Sequence, residues 1–175
     1  MARLLESGDH SDYVIVSGDG TEFKCHAVVL KASSPTLALM FESGLEESQL
    51  DRLLITDGSD VAVEALLKFM YTGRITKKCA GDGLEMVNLF SLAHRYEMED
   101  LANQCASRMV AMVNDNSVAS MAELLKLYTL PTLERAVKKY VADHWKRLDE
   151  KGILKEVQKT NLELATAAVT QHLAK

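Results

Sequence analysis

Asp12-Tyr13-Val14-Ile15-Val16-Ser17-Gly18-Asp19-Gly20-Thr21-Glu22-Phe23-Lys24-Cys25 decides how this chain begins to fold. Residues 13–16 are β-branched and aromatic, and residues 21–25 alternate apolar with polar. Gly18-Asp19-Gly20 stands between the two runs as a tight turn, so the pattern predicts a β-hairpin. The pair Gly18-x-Gly20 lacks the rest of a dinucleotide fingerprint and precedes a strand, not a helix. It is therefore read as a turn and not as a phosphate loop.

Helical periods appear on the C-terminal side of the hairpin. His26-Ala27-Val28-Val29-Leu30-Lys31-Ala32 is a short apolar helix. Ser34 then caps a second helix, with Pro35 at its first position, where the missing N–H costs nothing. That helix carries Leu37, Met40 and Phe41 and breaks near Gly44. Leu53-Leu54-Ile55-Thr56 reads as a third strand, closed by Asp57-Gly58. Val63, Leu66, Leu67 and Met70 fall at i, i+3, i+4 and i+7, one face of a helix that Asp60 caps and Gly73 ends. Residues 77–83 are polar and Gly-rich and read as a loop. Met86, Leu89, Phe90 and Ala93 mark the next helix, and Met98, Leu101, Ala102, Cys105 and Met109 another.

Asn114-Asp115-Asn116 marks a boundary, and everything beyond it is helical. Val118, Met121, Ala122 and Leu125 form one stripe. After Pro131 a longer stripe runs through Leu133, Val137, Tyr140, Val141, His144 and Leu148, and Gly152 breaks it. Thr160-x-x-Glu163 reads as a capping box before Leu164, Ala165, Ala168 and Val169. The expected class is α+β, a small three-stranded sheet flanked by helices, followed by an all-helical extension.

Composition narrows the function. The 175 residues carry 20 Lys+Arg against 25 Asp+Glu, a net charge of −5, with 47% hydrophobic residues. That apolar fraction excludes a disordered chain. The mild acidity argues against nucleic acid or an anionic membrane as the main partner, since phosphate binding needs clustered Lys and Arg. Cys25, Cys79 and Cys105 are odd in number and widely spaced, with no C-x-x-C pair, so free thiols in a reducing compartment are expected. The first six residues are no signal peptide, because charge interrupts any apolar run. No apolar run is long enough to span a bilayer. A cytoplasmic or nuclear location is the expectation.

Catalytic and metal-binding patterns are missing. His10, His26, His94, His144 and His172 sit in no metal-ligand spacing. Neighbours Cys25 and His26 on a strand point to opposite faces and could not easily share a metal. Lone histidines mostly satisfy local hydrogen bonds, so His26 is read in that way. There is no G-x-S-x-G and no P-loop. Glu42, Glu46 and Glu47 are read as a solvated acidic face and not as a general acid–base pair. No catalytic residue, cofactor or metal is expected. Leu45, flanked by Gly44 and Glu46-Glu47, has two readings: a capping contact with the preceding helix, or an anchor for a partner helix.

Together these residues carry a family resemblance. Asp12-x-Val14-Ile15-Val16, Phe23-x-x-His26-x-x-Val29-Leu30, Ser33-Ser34-Pro35, Met40-Phe41 and Leu67-x-Phe69-x-Tyr71-Thr72-Gly73 follow one another in an order that resembles the BTB/POZ domain. Leu89-x-x-Leu92-Ala93-x-x-Tyr96-x-Met98-x-x-Leu101-x-x-x-Cys105 completes the likeness. The resemblance implies a BTB/POZ domain over residues 1–113. Over residues 114–175 it implies a three-box and BACK-like extension. In residues 40–48 the chain is most similar to the speckle-type POZ group.

The resemblance implies an adaptor or scaffold, not a catalyst. Its expected partners are a second copy of itself and the N-terminal domain of cullin-3, in a ubiquitin ligase. The family's hydrophobic-x-Glu motif falls on Leu45-x-Glu47, so cullin binding is expected at Met40, Phe41, Leu45 and Glu47. Residues 118–148 would extend that surface. A dimer contact is expected at Leu4, Leu5 and Asp12. The alternative is a self-association module in transcriptional or cytoskeletal assemblies with no ligase coupling. Three departures stand out. Only Leu4 and Leu5 represent the family's N-terminal leucine-bearing helix. Ala27 takes the place of the Lys or Arg that often follows the motif histidine and faces a buried aspartate. No stretch of the chain reads as a MATH, kelch or zinc-finger segment.

Overall fold

The computed structural model describes residues 2–43 and 51–173. The chain divides into two compact units. One comprises Met1–Gly81 and Asn88–Asn103, the other Asp82–Val87 and Gln104–Lys175.

The first unit holds a three-stranded sheet. Strands β1 (Tyr13–Ser17), β2 (Glu22–Cys25) and β3 (Arg52–Ile55) lie in the order β2-β1-β3. β1 and β2 are the antiparallel hairpin, with Ile15 opposite Phe23. β3 joins β1 in parallel, with Ile15 beside Leu53 and Ser17 beside Ile55. The period-2 alternation of a strand puts Tyr13, Ile15, Cys25, Leu53 and Ile55 in the core, all of them buried. The outer face carries Arg52 and Glu22, ion-paired at 2.7 Å. Gly18 is required at the turn: a Cβ there would sit 2.3 Å from the Thr56 carbonyl oxygen.

Helices α1 (Ala2–Ser7), α2 (Ala27–Ser33), α3 (Pro35–Glu42), α4 (Asp60–Thr72) and α5 (Lys77–Ala80) complete most of this unit. Val29, Leu30, Leu37, Val63, Leu66 and Leu67 are buried, which follows the apolar periods of the sequence. Each fully buried Val or Leu contributes about 1.5–3 kcal/mol. The cap of α4 is Ser59, one residue before the expected Asp60, and its side chain accepts the Ala62 N–H at 3.2 Å. Asp60 has a different task. Its carboxylate accepts the hydroxyls of Ser17 and Thr21, and its N–H donates to Asp19 at 3.0 Å, tying the start of α4 to the hairpin. Those hydroxyls hold the Asp60 carboxyl below the usual carboxylate range. Gly73 ends α4 at φ 67°, as the sequence predicted. The stretch 77–83 is not a loop throughout. Thr76 accepts the Cys79 N–H and caps one helical turn, and Gly83 begins the next helix.

Helices α6 (Gly83–Arg95) and α7 (Glu99–Met109) each run through both groups of residues. In the second unit a 3-10 turn (Val110–Met112) is followed by α8 (Val118–Leu127), α9 (Pro131–Glu150), α10 (Ile153–Thr160) and α11 (Leu162–Leu173). Met121, Leu133, Val137, Val141, Leu148, Leu154, Val157, Leu164, Ala165 and Ala168 are buried there. Leu124 is the fourth buried residue of α8, and the expected Leu125 is half-buried. Thr160 caps nothing: it ends α10, its hydroxyl bonded back to the Glu156 carbonyl. Asn161 takes over, accepting the Leu164 N–H at 3.1 Å and donating to the Ala122 carbonyl at 3.0 Å.

Candidate functional site

The α2–α3 hairpin is built by two side chains from outside its helical residues. His26 precedes α2 with no side-chain cap bond of its own. Asp12 supplies one from β1's edge: its Oδ1 accepts the Ala27 N–H at 2.8 Å. Asp12 is exposed in the single chain. The backbone N–H of Ala27 is what the Asp12 carboxylate meets. Ser34 closes the other side of the hairpin. Its Oγ accepts the Leu37 N–H at 3.1 Å and donates to the buried Tyr96 carbonyl at 2.6 Å.

The inner face of the hairpin is spent on the core, and the outer face exposes two large apolar residues beside Lys31 and Glu42. Val28 is 70% exposed and Leu39 66%. Val28 reads in the sequence as an ordinary member of an apolar helix, and only its exposure separates it from Val29. Of the residues expected to bind cullin, Met40 and Phe41 are half-buried on α3. The Phe41 ring meets Tyr13 edge-on, with centroids 4.8 Å apart. Lys31 of α2 places its Nζ 4.8 Å from the same ring, a cation–π contact that joins the two helices. Ser43 then ends α3, its hydroxyl donating to the Met40 carbonyl at 2.8 Å. Leu45 and Glu47, like Gly44 and Glu46, lie outside the described residues.

Of the residues expected at a dimer contact, Leu4 and Leu5 lie on α1, and Asp12 is the residue bonded to the start of α2. Leu4 is 39% exposed and Leu5 half-buried. Leu5, Phe23 and Leu67 line a hollow of about 340 Å³. Glu6 holds Lys68 at 2.8 Å, and the hydrogen bond from that ammonium keeps the Glu6 carboxyl below its usual range.

The other polar clusters are structural. His26 is buried, with Nδ1 2.7 Å from the Tyr71 hydroxyl and Nε2 2.9 Å from the Asp9 carbonyl. Arg95 grips Asp57 with its two terminal nitrogens, Nη1 and Nη2, which lowers the Asp57 carboxyl and raises the guanidinium. All three cysteines are buried free thiols, and desolvation pushes Cys25 up to about 12. Among the described residues no three His, Cys, Asp or Glu side chains gather to hold a metal. No described helix is long and apolar enough to cross a membrane.

In the second unit, Asp115 is a hub that nothing in the sequence signals. Its carboxylate accepts Tyr140 at 2.6 Å and Arg147 at 2.8 Å, both on α9, and Lys151, the residue that follows the helix, at 2.7 Å. These bonds, Lys151 first and Tyr140 next, hold its carboxyl far below the usual range. The donors lie 25 to 36 residues away along the chain, so spacing could not reveal them.

The family model of the BTB/POZ domain matches residues 1–113. A BTB/POZ domain-containing protein of Arabidopsis thaliana is 29% identical over 127 residues, 71% of this chain and 16% of that protein. BTB and MATH domain-containing protein 40 of Caenorhabditis elegans is 32% identical over 121 residues, 66% of this chain and 30% of that one. Human Kelch-like protein 6 is 29% identical over 134 residues, 75% of this chain and 21% of that one. The chain thus spans less than a third of the length of each of these three relatives. The solved BTB domain of zebrafish PATZ1 superposes with a TM-score of 0.49 at 21% identity, covering 59% of this chain and 80% of that one.

Proposed function

The chain belongs to the BTB/POZ domain family, and from that premise we propose that it is a protein-interaction module serving as a cullin-3 adaptor in a ubiquitin ligase. In this reading residues 1–113 are the docking domain and residues 114–175 a three-box and BACK-like extension. The likeness of residues 40–48 to the speckle-type group belongs to the same reading. The observation that supports it most is the fixed end of α3. Tyr13 and Lys31 both contact the Phe41 ring, and Ser43 ends the helix two residues before Leu45-x-Glu47. A recognition motif joined to a rigid helix loses less entropy on binding than one on a free strand. Leu45 would serve as the apolar anchor, and Glu47 would accept a charged hydrogen bond at the rim.

The test is capture of the cullin-3 N-terminal domain by the purified chain, measured by calorimetry. Leu45→Glu is expected to abolish binding while circular dichroism and Tm stay at wild-type values. Undiminished binding by that variant would overturn the motif assignment.

The second reading is self-association without ligase coupling. The exposed Val28 and Leu39 on adjacent helices, with Leu4 on α1, support it. A dimer by light scattering with no cullin-3 capture at micromolar concentration would favour this reading over the first.

A further inference from the structure

No further inference is drawn: the strongest candidate, the apolar hollow of about 300 Å³ in the second unit, lined by Ala106 and Val110 near the end of α7 and by Leu130, Pro131 and Leu133 at the start of α9, carries nothing because the structure does not show what covers it.

Discussion

Tyr71 meets His26 at two points: its hydroxyl accepts the His26 backbone N–H at 2.8 Å and lies 2.7 Å from Nδ1. The other ring nitrogen faces the Asp9 carbonyl, which can only accept, so Nε2 donates to it. Both ring nitrogens are occupied, and a ligand role would break both bonds. Tyr71→Phe strands a buried N–H and a ring nitrogen together. The expected cost is about 2–4 kcal/mol, read as a lower urea midpoint at unchanged m-value.

Ser34 does two jobs where an ordinary cap does one. Ser34→Ala removes the cap on α3 and also leaves the Tyr96 carbonyl without its donor. The combined loss is about 2–3 kcal/mol in chemical denaturation. Ser59→Ala, which removes the cap bond to the Ala62 N–H, is expected to cost about 1 kcal/mol. Equal costs for the two variants would show that the Tyr96 bond contributes nothing.

These two serines also show what a sequence can display. Ser34-Pro35 announces a helix start because cap and first-turn residue act within three positions of each other. The hairpin, the third strand and the Gly73 stop are legible for the same reason, being local backbone chemistry. Local rules misplace a boundary where two candidates compete, as with Ser59 and Asp60 or Thr160 and Asn161. In both cases a distant contact decides: Asp60 is taken by Ser17 and Thr21, and Asn161 is fixed by Ala122. The candidate surface follows the same division. Met40 and Phe41 were readable as parts of a family pattern, whereas Lys31 on the Phe41 ring and the exposure of Val28 and Leu39 exist only once the two helices are folded together.

The thiols should be silent in the native protein. Cys25, Cys79 and Cys105 are buried, and desolvation, with the nearby Asp12 charge second, raises Cys25 to about 12. Alkylation by iodoacetamide at pH 8 is expected to modify none of the three before unfolding and all three in urea. The linkage has a definite sign. Cys25 keeps its proton in the folded state above the pH where the unfolded thiol, near 9, gives it up. Its contribution to stability is complete below pH 9 and declines between pH 9 and about 12.

Asp115 should govern the acid limb of the helical extension. Its folded carboxyl lies well below the ordinary 3.8, so its stabilisation is full above that value and is lost as pH falls beneath it. Asp115→Asn keeps the shape but not the charge that Lys151 and Arg147 face. The variant is expected to have a lower Tm at pH 7 and a flatter loss of stability below pH 4. Scanning calorimetry at several pH values reads both. A Tm equal to wild type at pH 7 would mean that the hub is ornamental.

Surface substitutions on α2 and α3 separate the two proposed readings. Val28 and Leu39 are mostly solvent-exposed, so a glutamate at either should change monomer stability by no more than about 0.5 kcal/mol. If a second copy covers this face, the same change buries an unpaired carboxylate in the contact and shifts the equilibrium strongly to monomer. Val28→Glu with Leu39→Glu is therefore expected to halve the mass measured by light scattering while Tm and circular dichroism are retained. Leu45→Glu should leave that mass untouched and remove cullin-3 capture alone. Both losses from Leu45→Glu would place the motif inside the self-contact. Neither effect from the double variant would return Val28 and Leu39 to the ordinary exposed apolar residues that every soluble domain carries.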